Sequence, residues 1–178
     1  RHMVFTGNPG TAKTSVARLV GTILRDNGLL PIGGLVEVGR SDLVGEYVGH
    51  TAVKVKKAFK RAKGCVLFID EAYSLVDHYR SSFGDEAINT IVMELENHRE
   101  DTLVIFAGYP EPMEQFLKQN PGLKSRIGFE VHFDNYSISE LVDIGRLLIH
   151  QQGFLISEEG IDRAQADAAR LHRARHRP

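Results

Sequence analysis

Cysteine is nearly absent from this sequence: Cys65 is the only one in 178 residues, so no disulfide framework can form. It opens the apolar run Cys65-Val66-Leu67-Phe68-Ile69 and reads as a small buried hydrophobe rather than a nucleophile. No stretch approaches the roughly 20 apolar residues of a membrane span, and no signal-peptide pattern precedes the first apolar segment. The expectation is a cytoplasmic protein with no membrane partner. Neither sign of charge is in excess. The net charge is −1, with 25% charged and 42% hydrophobic residues, which describes a folded globular chain and carries no nucleic-acid signature. The arginine- and histidine-dense end, Arg170 to Pro178, reads as a solvated helix end. Repeats and low-complexity segments are also missing.

What is present is an alternation of short apolar runs with helical patterns, the signature of βαβ units and a parallel sheet. Met3-Val4-Phe5 runs into a glycine loop. Val16, Leu19, Val20, Ile23 and Leu24 then recur at helical spacing, with Gly28 as a stop. Leu35 to Val38 reads as a strand. Thr51 is the expected cap of a helix to about Ala62 that buries Val55, Ala58, Phe59 and Ala62. Further strands are expected at Cys65–Ile69, Leu103–Ala107 and Phe129–Phe133, and a helix carries Ile88, Ile91, Val92 and Leu95. A last helix is expected from a cap at Ser139, with Leu141, Ile144 and Leu148 as its stripe.

Two motifs carry chemistry. Gly7-Asn8-Pro9-Gly10-Thr11-Ala12-Lys13-Thr14 follows the phosphate-loop pattern G-x-x-x-x-G-K-[ST], except that alanine stands where the second glycine belongs. In such a loop, backbone N–H groups and a helix start converge on an anion. Lys13 would reach the β- and γ-phosphates of ATP, and the Thr14 hydroxyl would meet Mg²⁺. Ala12 is expected at a negative φ, which alanine accepts, as the loop becomes helix. The second motif is the apolar strand ending in Asp70-Glu71, two carboxylates that are costly at such a place unless a cation or a reaction uses them. Asp70 suits Mg²⁺, and Glu71 suits polarising the water that attacks the γ-phosphate.

These motifs, together with Asn120-Pro121-Gly122-Leu123-Lys124-Ser125-Arg126, resemble the AAA+ ATPases. The resemblance is to the branch of stage V sporulation protein K and red-type Rubisco activase, with type VII secretion ATPases as close kin. It covers about His2 to Ile144. It implies a P-loop NTPase fold: a three-layer α/β/α sandwich around a parallel five-stranded sheet over residues 1–135, then the beginning of a helical lid over 136–178. It implies ATP and Mg²⁺ as cofactors, ATP hydrolysis, and a homo-oligomeric ring, a hexamer, that remodels a protein partner. Arg126 matches the arginine finger that serves a neighbouring subunit's γ-phosphate; without the resemblance it reads as a surface arginine. Tyr47-Val48-Gly49 matches the pore loop that grips a polypeptide; without the resemblance Tyr47 reads as a core tyrosine packing beneath the following helix. Asp77 to Gly84 matches a second pore loop, and Tyr109 stands at the polar sensor position.

No second-sensor arginine pattern is visible in 151–178, and part of the adenine-contacting segment before the first strand is missing, so the expectation is a fragment. Two alternatives stay open: a nucleotide-binding assembly scaffold with little turnover, and a related ATPase acting on nucleic acid. Neutral charge and Tyr47 speak against the latter.

Overall fold

The computed structural model describes residues 2–45, 47, 49–76 and 82–175. Five strands, β1 (His2–Gly7), β2 (Leu35–Val38), β3 (Val66–Ile69), β4 (Leu103–Gly108) and β5 (Ile127–Phe133), form one sheet in the order β2-β3-β4-β1-β5. All four pairings are parallel, with Thr6 opposite Gly108 and Ile69 opposite Phe106. The loop after β1 leads into α1 (Lys13–Asp26). Then come α2 (Arg40–Leu43), α3 (His50–Arg61), a 3-10 turn (Ala72–Leu75), α4 (Ser82–Asn97), α5 (Pro110–Gln119) and α6 (Pro121–Lys124).

Successive residues of each central strand point to opposite faces, which builds three layers. On one face Phe5, Val66, Phe68, Ile105 and Ala107 pack with Ala17 of α1. On the other, Val4, Leu67, Ile69, Val104 and Phe106 pack with Val55 and Phe59 of α3, Ile91 and Leu95 of α4, and Met113 of α5. Burial on both faces explains why β3 and β4 read as unbroken apolar runs. Cys65 is buried and free, as expected of a small hydrophobe.

Several local expectations shift by a residue or a face. Of the expected stripe of α1, Val16, Val20 and Leu24 pack against the core beside the buried Ala17 and Gly21, whereas Leu19 and Ile23 are 56% and 49% exposed. Small residues let this helix lie close, and the larger aliphatics flank the contact. Gly28 does stop the helix, at φ 71. Thr51 lies inside α3, where its hydroxyl accepts the Gly45 N–H at 2.9 Å, and Gly49 precedes the helix.

Residues 1–134 and 135–178 form two compact units. The second holds α7 (Ile138–Gln151) and α8 (Glu158–Arg175). Ser137, not Ser139, caps α7: Glu140 N–H donates to the Ser137 hydroxyl at 3.3 Å, and the Glu140 carboxylate accepts the Ser137 N–H at 2.7 Å. Val142 is buried, and Leu141 and Leu148 are exposed. Among the described residues no helix is long and apolar enough to cross a membrane.

His2 ties three elements together. Its Nδ1 accepts the Val104 N–H at 3.1 Å, and its Nε2 lies 3.3 Å from the Leu95 carbonyl. Burial first, and nearby positive charge second, push its pKa down to about 4 from 6.5. The depressed value means that stability from this group is complete above pH 6.5 and is lost as pH falls toward 4. That loss should reach at most about 3 kcal/mol. Urea unfolding of His2→Gln is expected to show a shallower decline over this range than the parent; an equally steep decline would contradict the assignment.

Candidate functional site

Three strand ends meet at the carboxyl edge of the sheet. Beyond β1 runs the glycine loop, beyond β3 stand Asp70 and Glu71, and beyond β4 stands Tyr109. Because β4 lies between β1 and β3 and all run the same way, segments far apart in sequence share one edge.

The loop closes on its own backbone. Lys13 Nζ donates to the Gly7 and Asn8 carbonyls at 2.9 and 2.8 Å, and the buried Thr11 hydroxyl donates to the Asn8 carbonyl at 2.8 Å. Gly10 adopts φ 77, and an added Cβ there would meet nothing within 4 Å, so the loop is open on its outer side. Burial lowers the Lys13 pKa, while the charge of Asp70 works against that shift. The lysine and the carboxylate after β3 therefore sense each other electrostatically.

Ala12 is not at a negative φ. It precedes the first residue of α1 with φ 65 and ψ 20, a left-handed conformation. The helix begins one residue later than expected, so position 12 still belongs to the turn. There glycine would be free of strain, and alanine costs about 1–2 kcal/mol.

Asp70 Oδ1 accepts the Glu71 N–H at 3.0 Å. Glu71 is exposed and also left-handed, at φ 46 and ψ 46. Among the described residues, Ala12 and Glu71 are the two non-glycine positions with positive φ, and both border this edge. Strain of this kind persists where surroundings over-determine the backbone. The hard oxygen donors of Thr14 and Asp70, beside a lysine, form a set suited to Mg²⁺ and phosphate.

Two further residues join the site that the motif reading missed. The Tyr73 ring fills the space beside Gly108, where an added Cβ would lie 2.7 Å from Tyr73 Cε1. It lies 6.2 Å from the Tyr109 ring, and burial first, then the charge of Glu71, raise the pKa of its hydroxyl. Arg40, at the start of α2, donates to the Ser74 carbonyl in the turn that follows Glu71.

Arg126 is elsewhere. It precedes β5, whose first residue pairs with His2 and whose last pairs with Gly7, so it stands at the amino edge. Five residue steps of about 3.3 Å put it roughly 16 Å from the loop. Its Nη1 donates to the Gly122 carbonyl at 2.9 Å, Glu96 lies 3.9 Å from its Nε, and that Nε is buried without a hydrogen-bond partner. Tyr47 is 66% exposed, its ring 5.5 Å from that of His50, and Gly49 follows at φ 80. A core tyrosine is thereby excluded. Val48, and the 77–81 part of the second expected pore loop, lie outside the described residues.

The sequence profile of the ATPase family associated with various cellular activities (AAA) matches residues 3–135. The chain belongs to the AAA family. It is 45% identical to stage V sporulation protein K of Bacillus subtilis over 158 residues, which are 89% of this chain and 49% of that protein. It is 49% identical to the CfxQ homolog of Galdieria sulphuraria, covering 89% of this chain and 52% of the relative. It is also 46% identical to the chloroplastic ribulose bisphosphate carboxylase/oxygenase activase of Cyanidioschyzon merolae, covering 93% and 54%. The chain thus spans about half the length of the curated relatives it matches. Its fold is similar to the crystal structure of the FIGL-1 AAA domain in complex with ADP, with a TM-score of 0.65 and 20% identity over 93% of this chain and 53% of that one.

In this AAA chain, Ala12→Gly is expected to raise the unfolding free energy by about 1 kcal/mol in urea titrations, by releasing the left-handed alanine. An unchanged or lower value would show that the loop holds position 12 without strain.

Proposed function

We propose that this chain is the nucleotide-binding core of an Mg²⁺-dependent ATPase that works as a homo-oligomeric ring, a hexamer, on a protein partner. The observation that carries the reading is the convergence of the glycine loop, Lys13, Asp70 and Glu71 on one sheet edge while Arg126 lies on the other.

The loop N–H groups from Gly7 to Thr14, with the start of α1, would bind the phosphates of ATP, and Lys13 would turn from the loop carbonyls toward them. Thr14 and Asp70 would hold Mg²⁺, which neutralises charge on the phosphate oxygens when bound. Glu71 would orient the attacking water and accept its proton as the water oxygen bonds to the γ-phosphorus and the bond to ADP breaks. Tyr109, at the end of β4, would face the same phosphate. None of this calls on Arg126 of the same chain, because no arginine side chain spans the sheet. A neighbouring copy would supply it, which is why a ring is part of the proposal. A planar cation then meets the charge spread over the transferring phosphoryl oxygens.

Tyr47, exposed on a turn bounded by Gly49, suits a grip on varied side chains of a polypeptide, and the pore loop is assigned to Tyr47-Val48-Gly49 on that ground. The unit boundary after Asp134 supports reading 136–178 as the beginning of a helical lid. The relatives' names point to two settings, sporulation and carboxylase activation, and the partner's identity is left to them.

In the full-length protein, Glu71→Gln should bind ATP and lose turnover, and Lys13→Ala should lose ATP binding in calorimetry. Arg126→Ala should also lose turnover, with partial recovery when its subunits are mixed with Glu71→Gln subunits. Equal turnover of Glu71→Gln and wild type would sink the role of Glu71. Absence of recovery on mixing would remove the ring arrangement.

A further inference from the structure

We infer that Tyr73 is a positioning residue for Glu71: its ring occupies the place that glycine leaves open at the end of β4, and from there its hydroxyl donates to the Glu71 carboxylate. The inference rests on the reading of Glu71 as the group that orients the hydrolytic water.

Gly108 is the last residue of β4, at the edge where Lys13, Asp70 and Glu71 meet. A Cβ at 108 would lie 2.7 and 2.8 Å from Tyr73 Cε1 and Cδ1 and 2.9 Å from Met113 Cγ. These contacts are with a ring wedged between strand and helix, which cannot yield as the tip of a flexible side chain can. The absence of a side chain at 108 therefore fixes where Tyr73 sits. The same ring lies 6.2 Å from that of Tyr109, which is 38% exposed. Of the two tyrosines, Tyr73 is the more enclosed, and it stands two residues after Glu71 in the same turn. The raised pKa of Tyr73, caused by burial and then by Glu71, with Tyr109 and Asp70 adding to it, keeps the hydroxyl protonated and able to donate.

The backbone that presents both side chains is held from several sides. Ser74 N–H donates to the Glu71 carbonyl at 2.7 Å, which closes the turn, and Arg40 donates to the Ser74 carbonyl. The neighbours Ala72 and Leu75 are fully buried. A left-handed Glu71 inside so tightly held a turn has few ways to aim its carboxylate. A donor on its flank selects among the side-chain rotamers that remain.

The test is steady-state ATP turnover and nucleotide binding by the full-length protein in four forms: wild type, Tyr73→Phe, Tyr109→Phe and Glu71→Gln. Tyr73→Phe keeps the ring and removes the donor. Its kcat is expected to fall about tenfold or more, the scale of one hydrogen bond to a charged group, with KM and ATP affinity within about twofold of wild type. That split separates positioning from a folding defect, which would lower both. A second variant, Gly108→Ala, keeps every hydroxyl but drives the ring from the strand end, and it should lose kcat in the same way. Wild-type kcat in Tyr73→Phe or in Gly108→Ala, with Glu71→Gln inactive, overturns the inference and leaves the role of Glu71 standing. Full turnover in Glu71→Gln removes the reading on which it rests.

Discussion

Because β3 is buried on both faces, its carboxyl end is the first point at which that strand can carry charge, and its parallel pairing with β4 decides which charges it meets there. Val66 to Ile69 could not host a carboxylate without a large desolvation penalty. One residue beyond, Asp70 reaches water, and β4 pairs in turn with β1, so the end of β1 arrives at the same edge. An antiparallel β3 would send Asp70 and Glu71 to the far edge, some four strand residues and about 13 Å away. The site is in this sense a consequence of strand direction, and the side chains that line it are those each strand can first afford to leave polar.

Strain follows the same edge. Strands that end together must turn together, and the turns here are sharp enough to need left-handed residues at Ala12 and Glu71. Neither side chain favours that conformation, so the hydrogen bonds around each must offset its cost: Val16 N–H to the Ala12 carbonyl at 2.9 Å, and Ser74 N–H to the Glu71 carbonyl at 2.7 Å. The energy goes into a fixed backbone on either side of the space where phosphate would bind.

What could be read in advance divides along the same line. The two central strands β3 and β4 announce themselves as apolar runs, and Lys13, Asp70 and Glu71 lie within a residue or two of a strand or helix end, so local pattern was enough to find them. Conformation at Ala12 was misjudged because it turns on one residue of helix boundary, which spacing does not resolve. Leu19 and Ile23 looked like a core stripe because hydrophobicity was weighed above size, whereas close packing of α1 selects Ala17 and Gly21. Tyr73 escaped notice since its place depends on an absence, the missing side chain of Gly108, 35 residues further along the chain. No window of sequence holds both ends of such a contact.

Arg126 is the residue for which the proposed function needs more than one chain. Its guanidinium is held at one end by the Gly122 carbonyl, yet its Nε is buried without a hydrogen-bond partner, a condition that costs about 1–3 kcal/mol. Glu96, the nearest carboxylate, is drawn toward Arg99 at 2.9 Å and stays 3.9 Å from Nε. A charge kept at that cost, one-third exposed and on the edge opposite the phosphate loop, makes sense if its task lies outside its own subunit. Under the proposed function, the roughly 16 Å between Arg126 and its own loop is what makes a second copy of the chain part of the reading.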